Sequence, residues 1–482
     1  MSLSSAINAA RSGLQVSSLR AEIVATNVSN VTTPGYVRRS VTISETVIGG
    51  KSAGVRSDGI GRVLDGAIKS QRRELTSDVA QASVLAATWK SISTRIGDTA
   101  DGNGLFKTFS DFETALSRAA TTPESNSNAA ALLQAARNIT DELNGLSDMV
   151  STQRAEADRE IADGVEVVNS ALKQIEDLNT RLSSVNRTSS EAAALMDERQ
   201  RVLDTIAEYL PIQTVERDHG KIDVLTTEGV FLVAGSAREI QFAPSSDFGP
   251  NRTLANGDLS GLTVDGVALT PGAASFGAVS GGLFGALFTL RDQDLPALSA
   301  QLDTIASQLV SRLSDDTIDP TKTPGDPGLF IDTDTAGGAG VAGRISINAA
   351  VDPEQGGAVW RLRDGLGAAT PGSPGNQSIL KGLFDAFTAV QTVSANGFQG
   401  AYSATEMAAQ ISSLAGQARV YNESVLSSTQ TQYGILVEAE QSETGVDIDA
   451  QLQELMLVEQ AYAANARVIE IASQMIKTLM EL

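Results

Sequence analysis

Apolar residues recur at every seventh position at both ends of the chain. Near the start one row is Ile7, Leu14, Ala21 and Val28, and its neighbour is Leu3, Ala10, Ser17, Val24 and Val31. Two rows three or four residues apart make a seam along a helix. Ala and Ser dilute this one, so the helix is marginal alone and needs a partner. At the other end Ile448, Leu455, Tyr462, Ile469 and Ile476 keep the same interval, with Val458, Ala472 and Leu479 on the adjacent row. Gln451 and Asn465 fall on that adjacent row too, and a polar residue in a seam costs stability but can fix register. The simplest use of two diluted seams is mutual: the terminal helices pair with each other, or with copies in other subunits.

Between the ends the period changes several times. Thr32-Thr33-Pro34-Gly35-Tyr36 stops the first helix in a Pro-Gly turn, and Val37, Arg39, Val41 and Ile43 then alternate as a strand would. From about residue 71 to 209 the steps are helical, as in Leu132, Ala136, Ile139, Leu143, Leu146 and Val150, resuming at Ile161, Val165, Val168, Leu172, Ile175 and Leu182. No proline interrupts Pro123 to Pro211, so a helix of about 80 Å fits there at 1.5 Å per residue. Short apolar runs punctuated by glycine over 211–280, with a hairpin turn at Asp218-His219-Gly220-Lys221, predict a small β module. Helical spacing returns at 283–313, 378–396 and 404–441, around a Gly/Pro/Asp-rich stretch with one strand-like run, Arg344 to Val351.

These patterns predict a mainly α chain. Long terminal and central helices form a rod-like multidomain protein with a smaller β-rich inserted module. The predicted divisions are 1–70 (terminal helix and extended segment), 71–210 (long helical domain), 211–280 (β-rich module), 281–316 (helical domain again), 317–376 (loop and strand), 377–441 (helical domain a third time) and 442–482 (C-terminal helix).

Composition narrows the chemistry. The net charge is −22, which repels nucleic acid and anionic lipid. There is no cysteine and a single histidine, His219, which excludes disulfides, thiol nucleophiles and Cys- or multi-His metal sites. No apolar run approaches the roughly 20 residues of a membrane helix, so no membrane insertion is expected. Gly338-Ala339-Gly340-Val341-Ala342-Gly343 matches GxGxxG, yet a strand-like run follows it where a dinucleotide site needs a helix. Gly50-Lys51-Ser52 resembles the end of a P-loop, but Glu45 stands where its first glycine belongs. Asp332 and Asp334 have EF-hand-like spacing, but Ala336 and Gly343 occupy later ligand positions. His219 sits in a polar turn. No catalytic residue, cofactor or metal site is expected, and the chain reads as not an enzyme.

The two ends carry a resemblance. Ala25-Thr26-Asn27-Val28-Ser29-Asn30-Val31-Thr32-Thr33-Pro34-Gly35-Tyr36-Val37-Arg38 resembles the signature A-N-N-x-A-N-x-N-T-P-G-Y-x-R of the bacterial flagellar rod, hook and hook-associated proteins. Gly445-Val446-Asp447-Ile448-Asp449 and Gln460-Ala461-Tyr462 through Ala466-Arg467-Val468-Ile469 resemble its C-terminal counterpart, G-V-N-L-D … Q-A-Y-x-A-x-A-R-V-I. Met196 to Asp204, Gly229 to Gly235, and Gly281 to Leu287 with Arg291-Asp292 resemble the hook-associated branch.

The resemblance implies a structural protein of the flagellum, extracellular, exported unfolded through the flagellar type III apparatus and assembled at the hook tip between hook and filament. It implies terminal helices that form an inner tube, with copies of the chain in a ring, hook protein below, and a second junction protein and the filament above. It also suggests an export chaperone on the C-terminal helix. Axial packing is then expected of Ile7, Leu14, Val24 and Val28 against Leu455, Tyr462, Ile469 and Ile476, with Ile448 on the same row, and the chain's exit from the tube at Asn27, Asn30, Pro34, Gly35 and Tyr36. A hook or distal-rod protein, or an enzyme acting on surface polymer, are the other readings.

Overall fold

The N-terminal heptad spacing is realised as one helix, α1 (Leu3–Ser29), in a computed structural model that describes residues 3–48, 50–63, 65–100, 102–271, 277–334 and 337–481. Ala336 of the EF-hand-like spacing lies outside the described residues. After the Pro-Gly turn, β1 (Arg39–Ile48) and β2 (Lys51–Arg62) pair as an antiparallel hairpin. This is more regular than the loop-rich segment its glycines suggest. α2 (Gly66–Ile96) starts at Asp65, whose carboxylate accepts from the Ala67 and Ile68 N–H groups, satisfying donors a helix start leaves open.

α3 (Gly104–Thr121) leads to α4 (Asn126–Ser184), begun by the Ser125 hydroxyl accepting from Asn128 N. With 59 residues and no proline, α4 runs about 89 Å. α5 (Ser190–Tyr209), capped by Ser189, folds back along it. The β module follows. β3 (Ile212–Glu216), β4 (Ile222–Thr226), β5 (Phe231–Ala234) and β6 (Ser236–Ala237) form one four-stranded sheet in that order. β7 (Ile240–Gln241), β8 (Leu262–Val264), β9 (Val267–Pro271) and β10 (Ala278–Val279) form a second, with β9 and β10 parallel. His219 turns the corner between β3 and β4 at φ 59° and is exposed.

α6 (Gly282–Thr289) runs through a π-helical turn, Leu290–Asp294, into α7 (Leu295–Leu313). β11 (Phe330–Asp332) and β12 (Ile345–Ile347) pair antiparallel. Next come α8 (Arg361–Asp364), α9 (Ser378–Thr388), the hairpin β13 (Gln391–Ala395) and β14 (Phe398–Tyr402), α10 (Ala404–Thr444) and α11 (Ile448–Glu481). The helical spacing read through to Asn396 thus ends at Thr388. Asn396 and Gly397 both take positive φ, 49° and 88°. That is the two-residue turn which matches the twist of a hairpin, and Asn-Gly is its favoured sequence.

Among the described residues, two large apolar cores share α4, and a small third cluster of Leu178, Leu182, Ala192 and Leu195 lies at its end. The first half of α4, Leu132 to Val150, packs with α3, α7, α9 and the start of α10 around Phe109, Phe112, Phe330 and Phe387. The second half, Ala157 to Ile175, packs with α5, α6 and the β module. Between them lie buried charges. Arg291, in the π-helical turn, donates to Asp158 (2.5 Å), Asp292 (2.8 Å) and the Ser260 carbonyl (2.9 Å). Arg154 donates to the carbonyls of Arg291, Phe248, Gly249 and Arg252. Asp158 also accepts from Ser245 N (2.8 Å). The clamp fastens the β module and the π-helical turn to the middle of α4, with its buried charges hydrogen-bonded as low-dielectric burial demands.

Candidate functional site

α1 is too thinly apolar to stand alone, and its partner is α11. The two run antiparallel: Asn27 meets Gln451, Arg20 pairs with Glu454, and Gly13 lies against Asn465. A Cβ at Gly13 would sit 2.7 to 2.8 Å from the Asn465 amide atoms, so a side chain there requires that amide to swing aside. The β1–β2 hairpin closes on α1 from another side, where Ser12 Oγ accepts from Val55 N (3.1 Å).

Asn27 organises the exit from α1. It is 1% exposed. Its Nδ2 donates to the Arg39 carbonyl (2.9 Å) and to Gln451 Oε1 (2.8 Å). Its Oδ1 accepts from Arg39 N (3.0 Å) and from the Tyr36 hydroxyl (2.8 Å). Each valence of this buried amide is therefore used, as burial requires. Asn30 Nδ2 donates back to the Thr26 carbonyl (2.9 Å) at the helix end, and Asn30 Oδ1 accepts from Thr33 Oγ1 (3.2 Å). Pro34 and Gly35 carry the chain round so that the Tyr36 ring stacks under the Arg39 guanidinium, 4.9 Å away. The signature residues Asn27, Asn30, Pro34, Gly35 and Tyr36 thus sit together at one corner.

The packing residues read from the heptads are distributed unevenly. Val24 is buried and Ile7, Leu14 and Val28 are half-buried on α1. On α11 the row turned toward α1 is Gln451, Val458, Asn465 and Ala472, with Val458 and Ala472 at 3% and 4% exposure. Ile448, Leu455, Tyr462 and Ile476 are exposed, at 45, 39, 50 and 37%, and Ile469 is half-buried. The richer apolar row therefore lies largely uncovered in the single chain, alongside exposed Leu452, Met456, Leu457, Ile471 and Leu479.

The corner is fastened to the helical body by shared ion pairs. Arg39 and Arg62 both reach Asp197 on α5 (3.2 and 2.6 Å). Arg72 bridges Asp204 (2.7 Å) and Glu440 (2.5 Å), and Arg73 also pairs with Asp204 (3.1 Å). Arg38 N donates to the Thr444 carbonyl (2.9 Å), tying the segment after α1 to the end of α10. Burial, then the neighbouring Arg62 charge, pushes Arg199 down to about 10; it donates to Asn179 and the Gly220 carbonyl instead of a carboxylate. These residues were not anticipated from the sequence, because their partners lie up to several hundred positions away.

The weak chemical motifs resolve locally. In the GxGxxG stretch, the N–H groups of Gly340 and Ala342 donate to the two oxygens of Asp303 on α7 (2.6 and 2.8 Å). Asp332 is held bidentately by Arg344 (2.6 and 3.0 Å). Burial raises its pKa, but the Arg344 bond and charge and the Asp334 N–H outweigh that and hold the carboxyl below the usual range.

Residues 90–326 match the family model of the Flagellar hook-associated protein FlgK helical domain, and residues 441–482 match that of the Flagellar basal body rod FlgEFG protein C-terminal. Flagellar hook-associated protein 1 of Escherichia coli (strain K12) is 24% identical over 316 residues, covering 63% of this chain and 55% of that protein. The Salmonella typhimurium protein of the same name is 24% identical over 313 residues, with the same shares. The chain spans about half the length of the curated relatives it matches. The solved flagellar hook junction protein FlgK from Burkholderia pseudomallei aligns with 21% identity and a TM-score of 0.44, covering 54% of this chain and 46% of that one. With one match in the helical body and a second over α11, the chain is similar to flagellar axial proteins at two separate places, and to hook-associated protein 1 over the longer of them.

Proposed function

We propose that this protein is a structural component of the bacterial flagellum that joins hook to filament, with no catalytic role. The observation that carries the reading is the combination of the matched helical domain with a terminal helix pair whose richer apolar row is uncovered. A contiguous apolar stripe of this kind marks an association surface. Copies of the chain pack there around a common axis, with hook protein below and a second junction protein and the filament above. The chain reaches that place unfolded, through the flagellar type III apparatus. Before assembly, an export chaperone covers the Leu455, Tyr462 and Ile476 row in the manner of a helix in a groove. The three placements of the helical domain (71–210, 281–316 and 377–441) form the outer body, and 211–280 is the outward module.

A clean deletion in the native motile bacterium, viewed by negative-stain microscopy, tests this. Hooks without filaments, with filament protein shed into the medium, are the expected result. Missing hooks would move the protein to the hook or rod, and normal filaments would sink the axial assignment. Complementing with Leu455→Asp and Ile469→Asp together is expected to fail; restored filaments would remove α11 from the assembly surface.

A further inference from the structure

α11 presents a paradox of burial. Its seven-residue row Ile448, Leu455, Tyr462, Ile469, Ile476 is the more apolar, yet the row facing α1 contains Gln451 and Asn465. The two rows are about 60° apart on a helix of 3.6 residues per turn, so a modest rotation of α11 would exchange them. Burial of apolar area alone favours that rotation. What opposes it, beside the half-exposed Arg20–Glu454 pair, is one buried polar contact. Gln451, 7% exposed, presents Oε1 to Nδ2 of Asn27 at 2.8 Å. Asn27 cannot turn to follow another partner, because Tyr36 and both backbone polar groups of Arg39 hold its amide. A rotated α11 would put an aliphatic side chain against that fixed donor, leaving it unsatisfied, which is costlier than a bond never made.

We infer that the Asn27–Gln451 hydrogen bond is a positioning element that selects which face of α11 turns inward. It buries the poorer row and keeps the richer one outward. That the outward row then serves other copies rests on the function proposed above; the selection itself is a property of the single chain. It also gives the signature asparagine a second task besides the turn: its fixed amide reads the rotation of a helix more than 400 positions away.

The chain has no cysteine, so paired cysteines report the facing row without background. Gly13→Cys with Asn465→Cys reads the observed face, and Gly13→Cys with Tyr462→Cys reads the rotated one. In the full-length chain the 13–465 disulfide is expected to dominate. Gln451→Ala is expected to shift the ratio of the two yields toward 13–462 by about fivefold, the effect of one lost hydrogen bond. Gln451→Glu retains an accepting oxygen for Asn27 and is expected to hold the original ratio. Equal yields in the starting chain, an unchanged ratio in Gln451→Ala, or the same shift in both variants would overturn the inference. The readout is made on the isolated protein, so its outcome is separable from that of the gene deletion.

Discussion

α4 and α11 have the same kind of sequence and opposite fates. Both are long, proline-free helices with apolar residues at three-, four- and seven-residue steps. On α4 that row is buried from Leu132 to Leu182, because α3, α5, α6, α7 and the β module all find it within the chain. On α11, among the described residues, α1 is the main partner, and α1 is narrow and dotted with Ala, Ser and Gly. Periodicity thus tells which face of a helix seeks a partner, and the rest of the chain decides whether that partner is internal. A helix left with its better face uncovered offers an association surface.

The sharpest way to break the contrast is inside α4. Arg291→Ala strands Asp158 in the gap between the two cores, and is expected to cost about 3–5 kcal/mol by chemical denaturation. Unchanged stability would mean that water reaches the clamp. A smaller effect is expected where α10 begins: Ser403 and Glu406 form a reciprocal cap, so Ser403→Ala is expected to cost about 1 kcal/mol.

Acid probes the body in a third way. Arg363, by its hydrogen bond and against the push of burial, holds Asp364 below the ordinary carboxylate range, and Arg344 does the same for Asp332. Folded values below unfolded ones mean that this stability is complete above the unfolded carboxylate pKa of about 4 and lost as pH falls through the lowered values. The melting temperature is therefore expected to be level from pH 7 to 5 and to fall below 4, by less in Asp332→Asn than in the parent. The smallest effect belongs to α11. Leu455→Asp or Tyr462→Asp in the isolated chain is expected to move stability by no more than about 0.5 kcal/mol, and a loss of several kcal/mol would show those side chains already packed.

Much of this was legible in the sequence. The helices follow from spacing, the long run from absent prolines, and the β module from alternation and turn residues. The hairpin β13–β14 was also signalled, by Asn396-Gly397, but apolar spacing from Ile379 onward extended the helix across it. At the terminal pair the sequence identified both heptad rows and the potential of Gln451 to set register. It set the Leu455, Tyr462 and Ile476 row against α1, whereas the Gln451, Val458 and Ala472 row turns inward, because the choice depends on Asn27, whose amide is oriented by Tyr36 and Arg39. Local periodicity holds no information about such a distant donor. The same limit hid Arg154, Asp158 and Arg291, whose meaning is wholly tertiary.

The glycine loop at 338–343 has a further consequence. Its N–H groups already grip a carboxylate tethered to the same molecule, and a tethered ligand competes at an effective concentration on the order of millimolar or more. A phosphate compound arriving from solution meets an occupied seat. The loop works as a buckle that straps the segment before β12 onto α7.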